Sequence, residues 1–544
     1  MSNKSRNFVL LFIAIVILSI IASRFDAQII SLNPEKHSKK ENLSKFDDVI
    51  KLIDNVYVDD VNWNHSVEGA INGLLETLDP HSIYITPSDA EINEENFEGK
   101  YQGIGIHFDV VDGYVTVISV IPGSPSEEAG LQAGDKIIKI NGESAYQLST
   151  ADVPKKLKGP AGSMVDVTIQ RFGVENPIEI SIKRDEIPIY TVNTYFKADQ
   201  HTGYVWLNRF AKTTASELED ALMELETQGI DQLILDLRGN GGGLLKEAVK
   251  VVAKFIPGHE IVVYTKGRFS RYDEEFYTDD FEVSSVREYP LIVLIDAGSA
   301  SASEIVAGAI QDYDRGLIVG TNSFGKGLVQ NEFVLSDKSR IRLTVSRYYT
   351  PSGRLIQKPY KNRNLEDYYN GVEIDSIEKA ENSDSTYTGP VFYTKGGRKV
   401  LGGGGIKPDV EVKFNSISKL PDLTRELIQK RIIFELASEL VSENPQWAES
   451  FGSFNRDYEP DTRQLKRLLK IAMDKNISIS KGQIETDQLY LKNRIKADIA
   501  RNIWGMSKYY EVILEYDNQF QESLKLFPKA QQLQGLADEV ISQK

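Results

Sequence analysis

From Gly203 to Ile356 short apolar runs alternate with amphipathic ones, and that alternation leaves few folds open. Tyr204-Val205-Trp206-Leu207 is predicted as a strand, Ala215–Leu225 as a helix, Leu233–Leu237 as a buried strand and Leu244–Phe255 as a helix. Ile261–Tyr264 and Leu291–Ile295 follow as strands, Ser303–Gln311 as a helix and Gly316–Gly320 as a strand. Leu328–Leu335 and Ile341–Tyr349 are predicted to pair as an antiparallel hairpin. Strands and helices in turn argue for an α/β core.

At 544 residues the chain has room for more than that core. Upstream, apolar residues from Leu43 to Leu78 recur at helical spacing, as two amphipathic helices. They end at Asp79-Pro80-His81-Ser82, where proline stops helix propagation. His81 reads as a hydrogen-bonding spacer after a helix rather than as a base. Tyr101–Lys183 changes period to alternating strands: Val115–Val120, Lys136–Ile140 and Val165–Ile169. Turn signals at Pro122–Pro125, Ala133–Asp135 and Asn141-Gly142 separate them, with short helices at Ser126–Leu131 and Ser149–Leu157. Residues 358–395 are polar and acidic and read as an excursion from the core. Gly402–Asp409 and Val410–Val412 return to a turn and a strand. From Leu420 onward the period is helical, with Trp447, Trp504, Tyr509 and Tyr510 as packing residues of a separate helical region.

The formal charge of −16 argues against nucleic acid as the main partner. Zero cysteines remove disulfides, thiolate catalysis and cysteine-zinc sites. Lys4 and Arg6 precede the apolar run Phe8–Ala22, and Ala22-Ser23-Arg24-Phe25 is a poor cleavage site. An uncleaved signal-anchor in the inner membrane, with the rest exported to the periplasm, is therefore favoured over a cleaved signal.

Two glycine-bearing loops carry candidate chemistry. Gly320–Gly327 matches a phosphate loop up to Lys326, but Gly327 takes the place of the required hydroxyl and a strand follows instead of a helix. Leu237–Leu244 follows a strand and opens a helix like a dinucleotide fingerprint, yet leucine stands at 244 where the third glycine belongs. Such a loop has another use, since its amides can stabilise a developing oxyanion. Between the two loops lies Gly298-Ser299-Ala300-Ser301-Ala302-Ser303-Glu304, a serine-rich turn from strand to helix. A serine there projects its hydroxyl, although simple N-capping would also place one. None of the six histidines falls between 298 and 330. Lys326, flanked by glycines and by apolar Phe324, Leu328 and Val329, can act as a base if burial keeps it neutral. The residue pattern alone leaves Ser299, Ser301 and Ser303 equal.

Tyr101–Lys183 resembles a PDZ domain through Gly103-Ile104-Gly105-Ile106, Ser124–Leu131, Ala133-Gly134-Asp135 and Ile140-Asn141-Gly142. The serine turn, Phe324-Gly325-Lys326-Gly327 with Gln330, and Leu235–Arg238 resemble the carboxyl-terminal processing peptidases, or tail-specific serine proteases. Leu78–Ser82, Tyr349–Arg354 and Gly405–Asp409 extend the likeness, which spans roughly residues 45–415. It implies a multidomain α/β protein: a Clp-protease/crotonase-like protease core with an inserted PDZ-like β-rich domain, an N-terminal helical region and a C-terminal helical extension. The expected segments are 1–24 for the signal, 25–97 for linker and helices, 98–185 for the PDZ domain, 186–415 for the core and 416–544 for the helical end.

The same resemblance implies Ser301 as nucleophile, Lys326 as base and Gln330 as its orienter. It implies Ala302 and Gly242 as oxyanion donors, with Asp236, Arg238 and Glu304 in support. Gly103, Ile104, Gly105 and Ile106 would bind a substrate carboxylate. The family often has Asn-Pro-Gly-Gly where this chain has Asn240-Gly241-Gly242-Gly243, which bears on which glycine donates. The expectation is an exported serine endopeptidase acting on proteins with free C-termini, without a cofactor or metal. A membrane attachment through the N-terminal segment is expected, and a homo-oligomer stays open. The competing expectations are a catalytically silent PDZ scaffold of the cell envelope and, more remotely, an acyl-CoA enzyme on a crotonase-like core.

Overall fold

The structure is a computed structural model that describes residues 34–282, 285–360, 365–370, 389–414 and 421–542. It divides into two compact units, with the boundary between Thr77 and Leu78. The first contains the helices Pro34–Val56 and Trp63–Glu76. Asn62 caps the second by accepting the N–H of His65. Both amphipathic helices are where the spacing put them. The expected membrane segment, residues 1–24, lies outside the described residues. Among the described residues no helix is long and apolar enough to cross a membrane.

The second unit is built on a six-stranded sheet in the order Val192–Lys197, Thr202–Leu207, Gln232–Asp236, Leu291–Ile295, Leu317–Gly320 and Val410–Glu411. The first pair is antiparallel and the rest are parallel. Every residue of Leu291–Ile295 is buried, as a central strand covered on both faces requires. One face carries the helices Thr214–Thr227, Leu245–Ala253 and Ala302–Asp312, packed on Leu233, Leu235, Val293 and Ile318. A second, antiparallel sheet joins Ile83–Ile85, Arg340–Tyr349, Ile261–Gly267 and Glu275–Tyr277, with Leu328–Val334 also paired to Arg340–Tyr349.

The opposite face of the core sheet is covered by the C-terminal helices. Leu514, Phe520, Phe527 and Leu533 pack on Ile234, Ile292, Leu294 and Val319. The end of the chain therefore does not stand apart as a separate helical region. It completes the core, because the sheet's outward side chains are apolar and need cover. Earlier helices of the same region, including Ile432–Glu443 and Lys481–Trp504, form a core of their own around Leu436, Leu468, Ile495 and Tyr509.

The β-rich insert forms an antiparallel sheet in the order Ile106–Val111, Tyr114–Val120, Lys136–Ile140, Met164–Gln170 and Ile178–Lys183. Val115, Val117, Ile137 and Ile169 are fully buried in it. Lys100–Gly103 and Asp185–Pro188 pair as a two-stranded ribbon, so the chain enters and leaves the insert side by side. That ribbon was not apparent in the residue pattern, and it is what makes the domain an insertion.

Candidate active site

Ser301 sits where the strand Leu291–Ile295 turns into the helix Ala302–Asp312. Its backbone has φ 56° and ψ −111°, a region that L-residues avoid. Strain of this kind costs about 1–3 kcal/mol and persists only where the surroundings over-determine it. The neighbouring serines are differently placed. Ser299 Oγ donates to Leu237 O at 2.8 Å and accepts the N–H of Asp296 at 2.9 Å. Ser303 Oγ donates to Asn240 O at 2.8 Å. Both are completely buried, whereas Ser301 is half-buried. The alternating serines thus split into two that stitch the turn to the glycine loop and one, half-buried, that begins the helix.

Glu304 joins this turn to the lysine loop. Its carboxylate is fully buried and accepts four hydrogen bonds: from Ser301 N at 2.9 Å, Lys326 N at 2.8 Å, Gly325 N at 2.7 Å and Ser323 Oγ at 2.5 Å. Burial pushes its carboxyl upward, while those donors favour the anion. Ser323 Oγ also accepts the N–H of Ile406 at 2.6 Å, so the Gly402–Asp409 turn braces the lysine loop from behind.

Lys326 Nζ donates to Gln330 Oε1 at 2.9 Å, and Gln330 Nε2 donates in turn to the carbonyl of His81. Burial and the neighbouring Arg342 lower the Lys326 ammonium to a pKa of about 8, against the opposing pull of Glu304 and Asp79. The amine therefore gives up its proton at lower pH than an ordinary lysine. The strand after Gly327 (Leu328–Val334) confirms that this is no phosphate loop.

The glycine loop lies against the serine turn. At Gly242, which has φ +97°, a Cβ would come within 2.7 Å of Ala300 O, 2.8 Å of Ser301 Cβ and 3.0 Å of Ala302 N. Only glycine fits there. Gly242 N–H is donated to Asn240 Oδ1 at 2.9 Å. Asn240, fully buried, also donates Nδ2 to Leu207 O, and its carbonyl accepts Ala300 N and Ser303 Oγ. At the loop's root Arg238 bonds Asp236 through Nε and Nη2 (3.0 and 2.6 Å), and Tyr204 donates its hydroxyl to Asp236 at 2.7 Å.

A profile described as peptidase family S41 matches residues 201–366, and one described as a PDZ domain matches 116–171. The profile of the activating protease CtpB N-terminal domain matches 15–89, and a family of unknown function matches 423–505. The carboxy-terminal-processing protease of Bartonella bacilliformis is 38% identical over 335 residues, which cover 61% of this chain and 76% of that one. Carboxy-terminal processing protease CtpA of Bacillus subtilis is 33% identical over 385 residues, covering 69% and 81%. The chain belongs to the carboxy-terminal processing protease family. It is a serine-type peptidase of family S41 with a PDZ domain.

In this carboxy-terminal processing protease, Ile106–Val111 is an edge strand of the PDZ sheet. Before it, the carbonyls of Ile104 and Gly105 accept Ser126 N, Ile121 N and Ser124 Oγ, which fixes the Gly103–Ile106 loop to the turn that follows. His81 is buried, and burial and Lys326 push its imidazole down to a pKa of about 4. Its Nε2 lies 2.9 Å from the Tyr368 hydroxyl. Tyr368 belongs to a short helix, Leu365–Asn370, that docks on Phe324 and His81. Part of the acidic stretch read as an excursion thus returns to the site; residues 361–364 and 371–388 lie outside the described residues.

Asn240, Ser323 and Tyr348, whose hydroxyl donates to Ser301 O at 3.1 Å, were not singled out from the residue pattern. Asn240 stood inside a motif already noticed, and Ser323 inside the lysine loop. Tyr348 had no signal beyond its place in a strand.

Proposed function

We propose that this peptidase is an exported endopeptidase that engages protein C-termini and cuts by a Ser301–Lys326 dyad through an acyl-enzyme. The observation that carries the reading is the buried Glu304 carboxylate, which accepts main-chain N–H groups from both Ser301 and Lys326. One side chain thereby sets the separation of the two loops. Ser301 is the half-buried serine on the strained turn, and Lys326 is the amine with the lowered affinity for a proton.

In this mechanism neutral Lys326 takes the Ser301 proton as Oγ attacks the scissile carbonyl. Gln330 holds the amine from the far side. The developing oxyanion is received by the N–H of Ala302 at the start of the buried helix, where the helix dipole also favours negative charge. The Gly242 N–H is the second donor, and using it requires the bond to Asn240 Oδ1 to be shared or released. Lys326 then gives its proton to the leaving amine, and water hydrolyses the ester by the reverse sequence. Substrate C-termini add to the Ile106–Val111 edge, with the carboxylate on the Gly103–Ile106 loop. Lys4, Arg6 and the apolar Phe8–Ala22 support export and membrane attachment.

The test is cleavage of an unstructured protein with an apolar C-terminus. Ser301→Ala and Lys326→Ala should each lower kcat by roughly 1,000-fold or more. Wild-type cleavage by both variants would end the dyad assignment. A wild-type KM after the substrate's C-terminus is amidated would end the C-terminal recognition. Mass spectrometry of the mature N-terminus tests export with retention of the first residues.

A further inference from the structure

We infer that the C-terminal helical region is a positioning element for the glycine loop, acting through Arg238. The inference rests on the proposed use of that loop as the oxyanion cradle. Arg238 is the residue from which the loop springs, and its side chain is only 10% exposed. Two of its nitrogens hold Asp236 in the core sheet. The third reaches out of the core: Nη1 donates to both oxygens of Asp517 at 3.0 and 2.8 Å and to Gln519 Oε1 at 2.9 Å. The guanidinium is thus divided between the sheet and the C-terminal region.

Both C-terminal partners are themselves fixed. Asp517 Oδ1 accepts the N–H of Phe520, whose ring lies edge-on to Tyr204 at 5.3 Å. Gln519 is fully buried and donates Nε2 to Val412 O at 2.7 Å. Trp206 completes the enclosure: its indole N–H donates to the Arg238 carbonyl at 3.2 Å, and its ring meets Tyr510 at 4.5 Å between centroids. Side chain and carbonyl of Arg238 are therefore both set by groups that the C-terminal region holds in place. From Arg238 the chain passes directly into Gly239–Gly243, where the glycines supply no side-chain packing of their own. A buried arginine is the suitable device here, because its planar fork fixes direction as well as charge.

Asp517 and Gln519 are positioning residues: neither reaches the reacting atoms. Asp517→Asn, Asp517→Glu and the milder Gln519→Ala are to be compared with the full-length parent on a short peptide ester and on a protein substrate. The readouts are kcat, KM, thermal midpoint and amide hydrogen exchange of 239–244. Asp517→Asn should lower kcat by about 10- to 100-fold with KM nearly unchanged, and Gln519→Ala should lower it less. Exchange at 239–244 should rise in both, and Asp517→Glu should recover part of the loss. A folded Asp517→Asn enzyme with parental kcat overturns the inference. So does loop exchange that stays at the parental level, or a kcat loss fully accounted for by the unfolded fraction. The exchange readout does not depend on which serine is the nucleophile, so failure of the dyad and failure of this inference are distinguishable.

Discussion

At the scale of single residues the site is governed by one cation and one anion that burial works against. Lys326 is pushed down to a pKa of about 8 by burial and by Arg342. As the proposed base, Lys326 must be neutral to act, so kcat/KM should climb as pH rises and level off above an apparent pKa of about 8. Arg342→Gln removes a like charge that disfavours protonation of Lys326. The midpoint should therefore move to higher pH in a pH–rate profile with a neutral peptide substrate; a shift to lower pH or none would contradict the electrostatics. Glu304 is the anion. Glu304→Gln would turn an –NH2 group toward main-chain donors, leaving at least one N–H without an acceptor. The expected loss is about 2–4 kcal/mol of stability, measured by urea unfolding, with activity largely lost in the folded fraction.

At the scale of elements the serine turn separates structure from chemistry. Ser299→Ala and Ser303→Ala each delete a buried hydroxyl that holds a carbonyl of the glycine loop. Each should cost about 1–3 kcal/mol of stability and retain cleavage, whereas Ser301→Ala should keep stability and lose cleavage. The core strands and helices were legible in advance to within a few residues, because a sheet covered on both faces leaves uninterrupted apolar runs such as Leu291–Ile295. What sets the three serines apart was not legible. It depends on Leu237 O and Asn240 O, which a distant strand-to-helix turn supplies. The acidity of Lys326 was visible only as a requirement, since Arg342 lies on another strand. Likewise the apolar residues of the C-terminal helices announced packing without naming the partner, and that partner proved to be the outer face of the core sheet.

At the scale of the whole second unit, the C-terminal region touches the PDZ domain as well as the core. Arg431 Nε meets Asp109 Oδ2 at 2.8 Å, and Lys475 Nζ meets Asp112 Oδ2 at 2.8 Å. Both acidic residues belong to the Ile106–Val111 edge strand or the turn after it. The double variant Arg431→Ala/Lys475→Ala should cost about 1 kcal/mol in global stability, since partly exposed pairs contribute little and Lys475 also holds Glu435. It should nonetheless raise hydrogen exchange across 106–117 and alter the KM for protein substrates more than that for short esters. Equal effects on both substrates would argue that the pairs do not bear on the edge proposed to read peptides.

The Glu304 bridge has a consequence for how the enzyme comes into being. During synthesis the serine turn emerges before Ser323, Gly325 and Lys326, and until they follow, its carboxylate lacks three of its four donors. The helix that carries it cannot bury that charge unaided. A nascent or truncated chain ending between the two loops therefore has no settled serine turn. With Ser301 and Lys326 as the proposed dyad, the site is complete only once both loops are present, because the Glu304 contact draws its donors from each.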